Sequence, residues 1–238
     1  MNLAGIRNEL QGLADPDVAA FLARYFRTGP GEYGEGDRFL GIRVPRLRAI
    51  ARRAREVSVP DALGLLSSEW HEERLLALLI LVERYRRGGQ QERNEIHRAY
   101  LASTRYVNNW DLVDASAPHI VGAHLRPDRL DTLESLARSS SVWERRIAML
   151  ATLHWIRQKE FRPALAIATL LIDDRHDLIH KAVGWMLREI GKRDQEVEER
   201  FLRSHHRTMP RTMLRYAIER FPAAERQAYL RGLPGSGV

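Results

Sequence analysis

The chain predicts an all-α fold: a curved superhelical solenoid of antiparallel, HEAT-like helix pairs. Three observations predict it. Proline recurs just ahead of apolar segments of helical period, helix starts recur every 33–38 residues, and strand patterns are scarce. Proline suits a first helical turn because its missing N–H has no intrahelical partner there. A fixed repeat of this size is the mark of stacked helix pairs, each too small to bury its apolar face alone.

In chain order, the pairs Asp15-Pro16, Val44-Pro45, Val59-Pro60, Arg126-Pro127, Met209-Pro210 and Phe221-Pro222 read as helix starts. Residues 28–42 hold five Gly and one Pro and read as a glycine-rich loop or β-hairpin. Leu75, Leu78, Leu79 and Val82 follow the i, i+3, i+4, i+7 rule of a buried helix face. Long helices are expected near His71, Asn109, Val142, His176 and Pro210, with shorter partners at 91–104, 127–138, 161–172 and 194–205. Residues 1–232 therefore read as one solenoid domain and 233–238 as a flexible tail.

Composition narrows the function classes. A chain of 238 residues, 44% hydrophobic and 29% charged, buries a real core and is not disordered. With no Cys there is no disulfide scaffold, thiolate metal site or cysteine nucleophile, and a reducing cytoplasm is the expected setting. No apolar run reaches the roughly 20 residues that span a bilayer. Arg7 and Glu9 interrupt the apolar pattern of Met1–Leu13, so it does not read as a signal peptide. A monomer without membrane contact is expected.

The formal charge is +7, and 35 of the 38 basic residues are Arg. Residues 38–55 carry seven Arg and no acid, and residues 201–238 carry seven Arg against Glu219 and Glu225. Guanidinium groups suit planar, bidentate contact with phosphate, so a polyanion is the expected partner. A solvated helix face in an arginine-rich chain is the alternative. Trp110, Trp143 and Trp185 fall on the long set of helices, as do Arg145, Arg146, Lys181, Arg188, Arg211 and Arg215. This predicts a basic concave groove with aromatic residues in it, unless the tryptophans are simply core.

Three constellations remain. Gly29 to Gly34 matches G-x-G-x-x-G, but no strand precedes it and no βαβ pattern follows, so a dinucleotide site is not expected. His176 and His180 have the spacing of metal ligands on a helix. Capping by Asp174 or Asp177, with both histidines on the surface, accounts for them equally, and no metal is expected. Asn108 or Asn109 caps the helix that carries Trp110, Asp111 and Asp114. Asp111 in the first turn favours the helix dipole, which accounts for it. Asp114 lies one turn from Trp110 on the same face. It is either the partner of an arginine or a functional carboxylate.

At this stretch the sequence resembles the AlkD-type DNA alkylation repair family of HEAT-like glycosylases. The matching segments are ARYF (23–26), FLGIRVP (39–45), HEERLLALLIL (71–81), YVNNWDLVDASAP (106–118), WERRIAML (143–150), DLIHKAVGWMLREIGKR (177–193) and TMPRTMLRYAIERFP (208–222). The resemblance implies excision of N3- and N7-alkylated purines from duplex DNA without a cofactor. It aligns Asp114 with the family's catalytic carboxylate, and Trp110 and Trp185 with the aromatics flanking the lesion's sugar. It aligns Arg146 with a basic groove residue and Tyr25 with an aromatic near the site. Arg43 stands where the family has a polar residue after the FLGI block. The longer glycine-rich segment 28–42 implies an alternative, non-catalytic binding of branched or distorted DNA. A HEAT-like protein-interaction scaffold is the alternative from another class.

If arginines neutralise phosphates, duplex affinity falls steeply with salt. The logarithm of the binding constant should drop against the logarithm of salt concentration with a slope of about −0.9 per phosphate contact. Titration of a labelled duplex at several salt concentrations measures it, and an unchanged affinity would contradict a basic DNA-binding surface.

Overall fold

A computed structural model describes residues 2–232. The expected tail, 233–238, lies outside the described residues. The elements are α1 (Leu3–Gly12), α2 (Pro16–Tyr25), α3 (Val44–Arg53), α4 (Val59–Leu66), α5 (His71–Arg87), α6 (Gln90–Ala102) and α7 (Trp110–Ala117). They continue as α8 (Asp131–Ala137), α9 (Val142–Ala151), α10 (Leu153–Ile156), α11 (Arg162–Leu170), α12 (Asp177–Gly191), α13 (Gln195–His205), α14 (Arg211–Ala217) and α15 (Ala223–Leu230). The all-α expectation holds. Among the described residues the only β-pairing is an isolated bridge between Arg38 and Trp70. No helix among them is long and apolar enough to cross a membrane.

The starts signalled by proline hold at α2, α3, α4, α14 and α15, where proline is either the N-cap or lies within the first turn. Arg126-Pro127 is the exception. Pro127 occupies the second position of a turn closed by the Arg129 amide donating to the Arg126 carbonyl at 3.1 Å. Proline favours that turn position as much as a helix start, and α8 begins only at Asp131.

The strict alternation of long and short helices also fails. At 8 residues α7 is shorter than α6 at 13, and α14 at 7 is shorter than α13 at 11. Proline stops both. Pro118 has no N–H to donate to the Asp114 carbonyl four residues back, and the chain widens into a π turn over Pro118–Gly122. After α14 a 3₁₀ turn, Ile218–Arg220, leads into Pro222.

The 28–42 segment is a chain of turns, not a hairpin. Amides of Glu32, Glu35 and Asp37 donate to carbonyls three residues back, and the Glu32 and Glu35 carboxylates accept from the Gly29 and Gly31 amides at 3.0 and 2.9 Å. Amides used locally cannot form a ladder.

The chain divides into two compact units, one running to His124 and the other from Leu125. In the first, α5 is the central helix. Residues 71–82 are buried all round, with α3, α4 and α7 packed against it. In the second, α12 plays that part. Its face of Leu178, Ile179, Ala182, Val183, Met186, Leu187 and Ile190 is buried, and α9, α13 and α14 pack against it.

The α12–α14 crossing depends on Gly184. A Cβ there would collide with the Met213 carbonyl oxygen and lie 2.5 Å from Tyr216 Cβ. At an open helical site, Gly→Ala stabilises by about 1 kcal/mol. Here Gly184→Ala should reverse the sign and cost about 1–3 kcal/mol through overpacking. Chemical denaturation of the variant measures this, and a gain in stability would mean the helices are free to separate.

Candidate active site

The first unit is organised by four consecutive polar residues at the head of α5. His71, Glu72, Glu73 and Arg74 are all buried. Acids in a first helical turn are favoured by the helix dipole, but burial demands specific partners. Glu72 accepts from the amides of Leu40, Gly41 and Ile42 at 2.8, 2.8 and 3.1 Å. This nest requires Gly41, whose φ is +87° and whose Cβ would strike the Asp15 carbonyl. Glu73 pairs with Arg7 at 3.2 Å. Arg74 donates to the carbonyls of Ser68 and Glu69 at 2.9 and 3.1 Å and pairs with Asp37.

His71 bridges two carboxylates. Nδ1 lies 2.9 Å from Asp37 Oδ2, and Nε2 lies 2.8 Å from Asp111 Oδ2. Burial alone would depress the imidazole, but Asp111 and then Asp37 outweigh it and push it up to about 9. Burial likewise opposes ionisation of Asp37. Hydrogen bonding and charge from His71, the charge of Arg74, and the Asn109 amide outweigh it and hold its carboxyl below the usual range. Two carboxylates thus face two cations, and the cluster is neutral as a whole.

Asp111 is therefore more than a favourable charge at a helix start. It ties α7 to α5, while its Oδ1 accepts from the Leu112 amide at 2.9 Å. Asn109, fully buried, is the cap. Its Oδ1 accepts from the Trp110 amide at 2.8 Å, and its Nδ2 donates to Asp37 at 3.1 Å.

The first turn of α7 is held in place, and with it Trp110. Its indole stacks on Phe26 with centroids 5.1 Å apart and meets Tyr25 edge-on at 6.0 Å. Phe26 stacks on Phe39, and His71 lies against both rings at 5.0 and 4.6 Å. Trp110 remains half-buried. Asp114, also half-buried, follows one turn later. Its charge raises the buried Tyr100 hydroxyl, although burial is the larger cause. Tyr100 lies 2.9 Å from the Ser116 hydroxyl, which donates onward to the Leu112 carbonyl.

Tyr25, Arg43, Trp110 and Asp114 belong to the first unit; Arg145, Arg146, Lys181, Trp185, Arg188, Arg211 and Arg215 belong to the second. Trp185 is half-buried, and its Nε1 donates to Glu189 at 3.2 Å. Several of the basic residues have partners. Arg145 pairs with Asp174 at 2.6 Å, Lys181 with Asp177 at 2.7 Å, and Arg188 with Glu219. Arg146 is only 5% exposed and donates to the Leu178 carbonyl at 2.8 Å. Arg211 donates to the Leu230 carbonyl at 2.8 Å. Arg43 and Arg215 are exposed, with no acid partner among the described residues.

In the run at 38–55, Arg38 pairs with Glu69 and lies over the Trp70 ring, while Arg53 and Arg55 pair with Glu9 and Glu56. His176 accepts from the Leu178 amide as the cap of α12, and His180 bonds the Asp174 carbonyl. Among the described residues no group of three or more His, Asp or Glu has the arrangement of a metal site.

Because His71 is raised in the folded protein from 6.5 to about 9, the folded chain binds a proton the unfolded chain releases. Its contribution is complete below the unfolded value and is lost as pH rises from 6.5 to about 9. The loss is about 3 kcal/mol at most, from 1.36 kcal/mol per pH unit. Thermal melts of the parent and of His71→Gln across this window should converge as pH rises. Parallel curves would mean the imidazole is not charged in the fold.

Similarity to known proteins points one way. A family model described as DNA alkylation repair enzyme matches residues 6–221. A solved structure described as a predicted DNA alkylation repair enzyme from Enterococcus faecalis superposes with a TM-score of 0.67 at 16% identity. The match covers 88% of this chain and 97% of that one, and at this identity it shows a shared helical-repeat fold. No curated protein is matched by sequence.

Proposed function

Since this chain belongs to the DNA alkylation repair enzyme family, we propose that it hydrolyses the N-glycosidic bond of N3- and N7-alkylated purines in duplex DNA. The observation that carries the reading is the pairing of Asp114 with Trp110, one turn apart on α7, with the indole clamped by Phe26 and Tyr25. An alkylated purine of this kind is cationic, so its leaving ability needs no acid. As the C1′–N9 bond breaks, its electron pair neutralises the purine ring and positive charge gathers on the deoxyribose. A carboxylate beside C1′ stabilises that charge. Water then forms the new C1′–O bond and gives up its proton toward Asp114.

Indole faces favour the same sugar cation electrostatically, which is the part assigned to Trp110. Phosphate contacts fix register without reading bases. Exposed Arg43, Arg211 and Arg215 are suited to make them, with Lys181 and Arg188 able to exchange a surface acid for phosphate. Arg145 and Arg146, tied to Asp174 and to the Leu178 carbonyl, are suited to shaping the surface that phosphate meets. This chemistry uses no cofactor. The alternative of a branched-DNA probe at 28–42 draws little support from a turn whose exposed side chains include Glu32 and Glu35, groups that repel phosphate.

Asp114→Asn should reduce release of N7-methylguanine or N3-methyladenine from a modified duplex by roughly 10²–10³. Duplex affinity should hold or improve, and the rate loss should exceed what any change in melting temperature accounts for. Trp110→Ala should cost less rate, since a cation–π contact contributes about 0.5–2 kcal/mol. Asp111→Asn should instead lower the melting temperature, because it unpairs the buried His71. Base release measured beside thermal melts separates the two. Equal rate losses at Asp114 and Asp111, both with lowered melting temperatures, would make the Asp114 effect structural.

A further inference from the structure

Helix α2 buries none of its residues. Phe21 and Tyr25 are 56% and 55% exposed, the most exposed large hydrophobic side chains among the described residues. Their rings stack, with centroids 6.1 Å apart and planes 15° from parallel. Since Tyr25 also meets Trp110 at 6.0 Å, three aromatic rings run in series from the candidate site out along α2. Beside Phe21 opens a groove of about 480 Å³ lined by Asp17, Val18, Phe21, Leu22 and Arg43. Arg46, one turn after Arg43, and Arg24, three residues after Phe21, are exposed and take no acid partner among the described residues.

Exposed aromatic faces forgo about 25 cal/mol per Å² of burial, so folding alone does not explain their choice over polar residues. The chemistry of the surroundings selects the occupant. In the groove lining Arg43 is matched by Asp17. Of the other exposed charges on α2 and at the start of α3, Arg24 and Arg46 stand against Asp15, whose carboxylate is taken up in capping α2, so the balance favours an anionic partner. Flat rings match flat apolar faces better than they match aliphatic side chains. An unpaired nucleotide has both properties, whereas a paired base hides its faces in the duplex stack.

We propose that Phe21 and Tyr25, with Arg43 at their side, form a stacking platform for unpaired bases of single-stranded or gapped DNA. The proposal rests on the reading of the chain as a DNA-binding enzyme and adds a second substrate form to it. Each base laid on an aromatic ring contributes about 1–3 kcal/mol without regard to its identity, so binding there is indifferent to sequence. Phe21 has no assigned part in base release, which allows the platform to be altered alone.

The test compares the full chain binding a short oligothymidylate, an abasic oligonucleotide with the same number of phosphates, and a duplex. The oligothymidylate should bind more tightly than the abasic strand. Phe21→Ala should weaken oligothymidylate binding roughly 5- to 150-fold, from about 1–3 kcal/mol per stacked base. Abasic and duplex binding should stay within about twofold, and Phe21→Trp should keep the parental affinity. Equal affinity of the parent for the two single strands would overturn the platform, as would an equal loss on both in Phe21→Ala. Self-association of the parent that Phe21→Ala abolishes would overturn it too, by assigning the face to a second copy of the chain. If the parent binds duplex but not oligothymidylate, the platform alone is wrong. If it binds neither and releases no base, the functional reading falls with it.

Discussion

Four side chains on one helical turn hold the first unit together. His71, Glu72, Glu73 and Arg74 are buried where burial of charge is costly, and each is compensated by a different part of the chain. Glu72 gathers the amides of Leu40, Gly41 and Ile42, Glu73 takes Arg7 from α1, and Arg74 closes on Asp37 and on the carbonyls before α5. His71 reaches forward to Asp111 on α7 and back to Asp37. Removing one partner from such a cluster leaves an uncompensated charge, so its members stand or fall together.

The candidate catalytic face inherits its rigidity from this cluster. Asp111 and Asn109 fix the start of α7, and the stack of Phe39, Phe26 and Trp110 fixes the indole beside it. Asp114 stands one turn further along the same helix. Electrostatic catalysis depends on such preorganisation, because a carboxylate that must move to meet the sugar cation spends on reorganisation what it gains in attraction. The π turn after Pro118 ends the helix just beyond this face, and the Tyr100–Ser116 bond secures its buried side.

The second unit shows how far net charge differs from available charge. Arg145, Lys181 and Arg188 are each matched by an acid, and Arg146 is committed to a carbonyl. Arg215, by contrast, is exposed and takes no acid partner among the described residues. Gly184 serves the same unit differently. By lacking a side chain it lets α14 press against α12 next to Trp185.

By itself the sequence determined what depends on local physics. The all-α class, most helix starts and an asparagine cap at Asn108 or Asn109 follow from proline, helical period and capping chemistry within a few residues. The same holds for the Trp110–Asp114 face, since helix geometry places i and i+4 together whatever else the chain does. Asp111 shows where that reasoning stops. Its place in a first turn explained it fully from sequence, yet its partner is His71, 40 residues away. The HEER run was legible as the head of an apolar helix, but not as a hub, because pairings with Asp37 and Leu40–Ile42 are made by loop closure that no periodicity encodes. Pro127 failed as a helix start because a turn satisfies the same φ restriction. Arg145 and Arg146 looked like free cations because a count of charges carries no distances. Tertiary structure alone decided which charges are buried and which partner each one meets, since both depend on chain segments brought together only by packing.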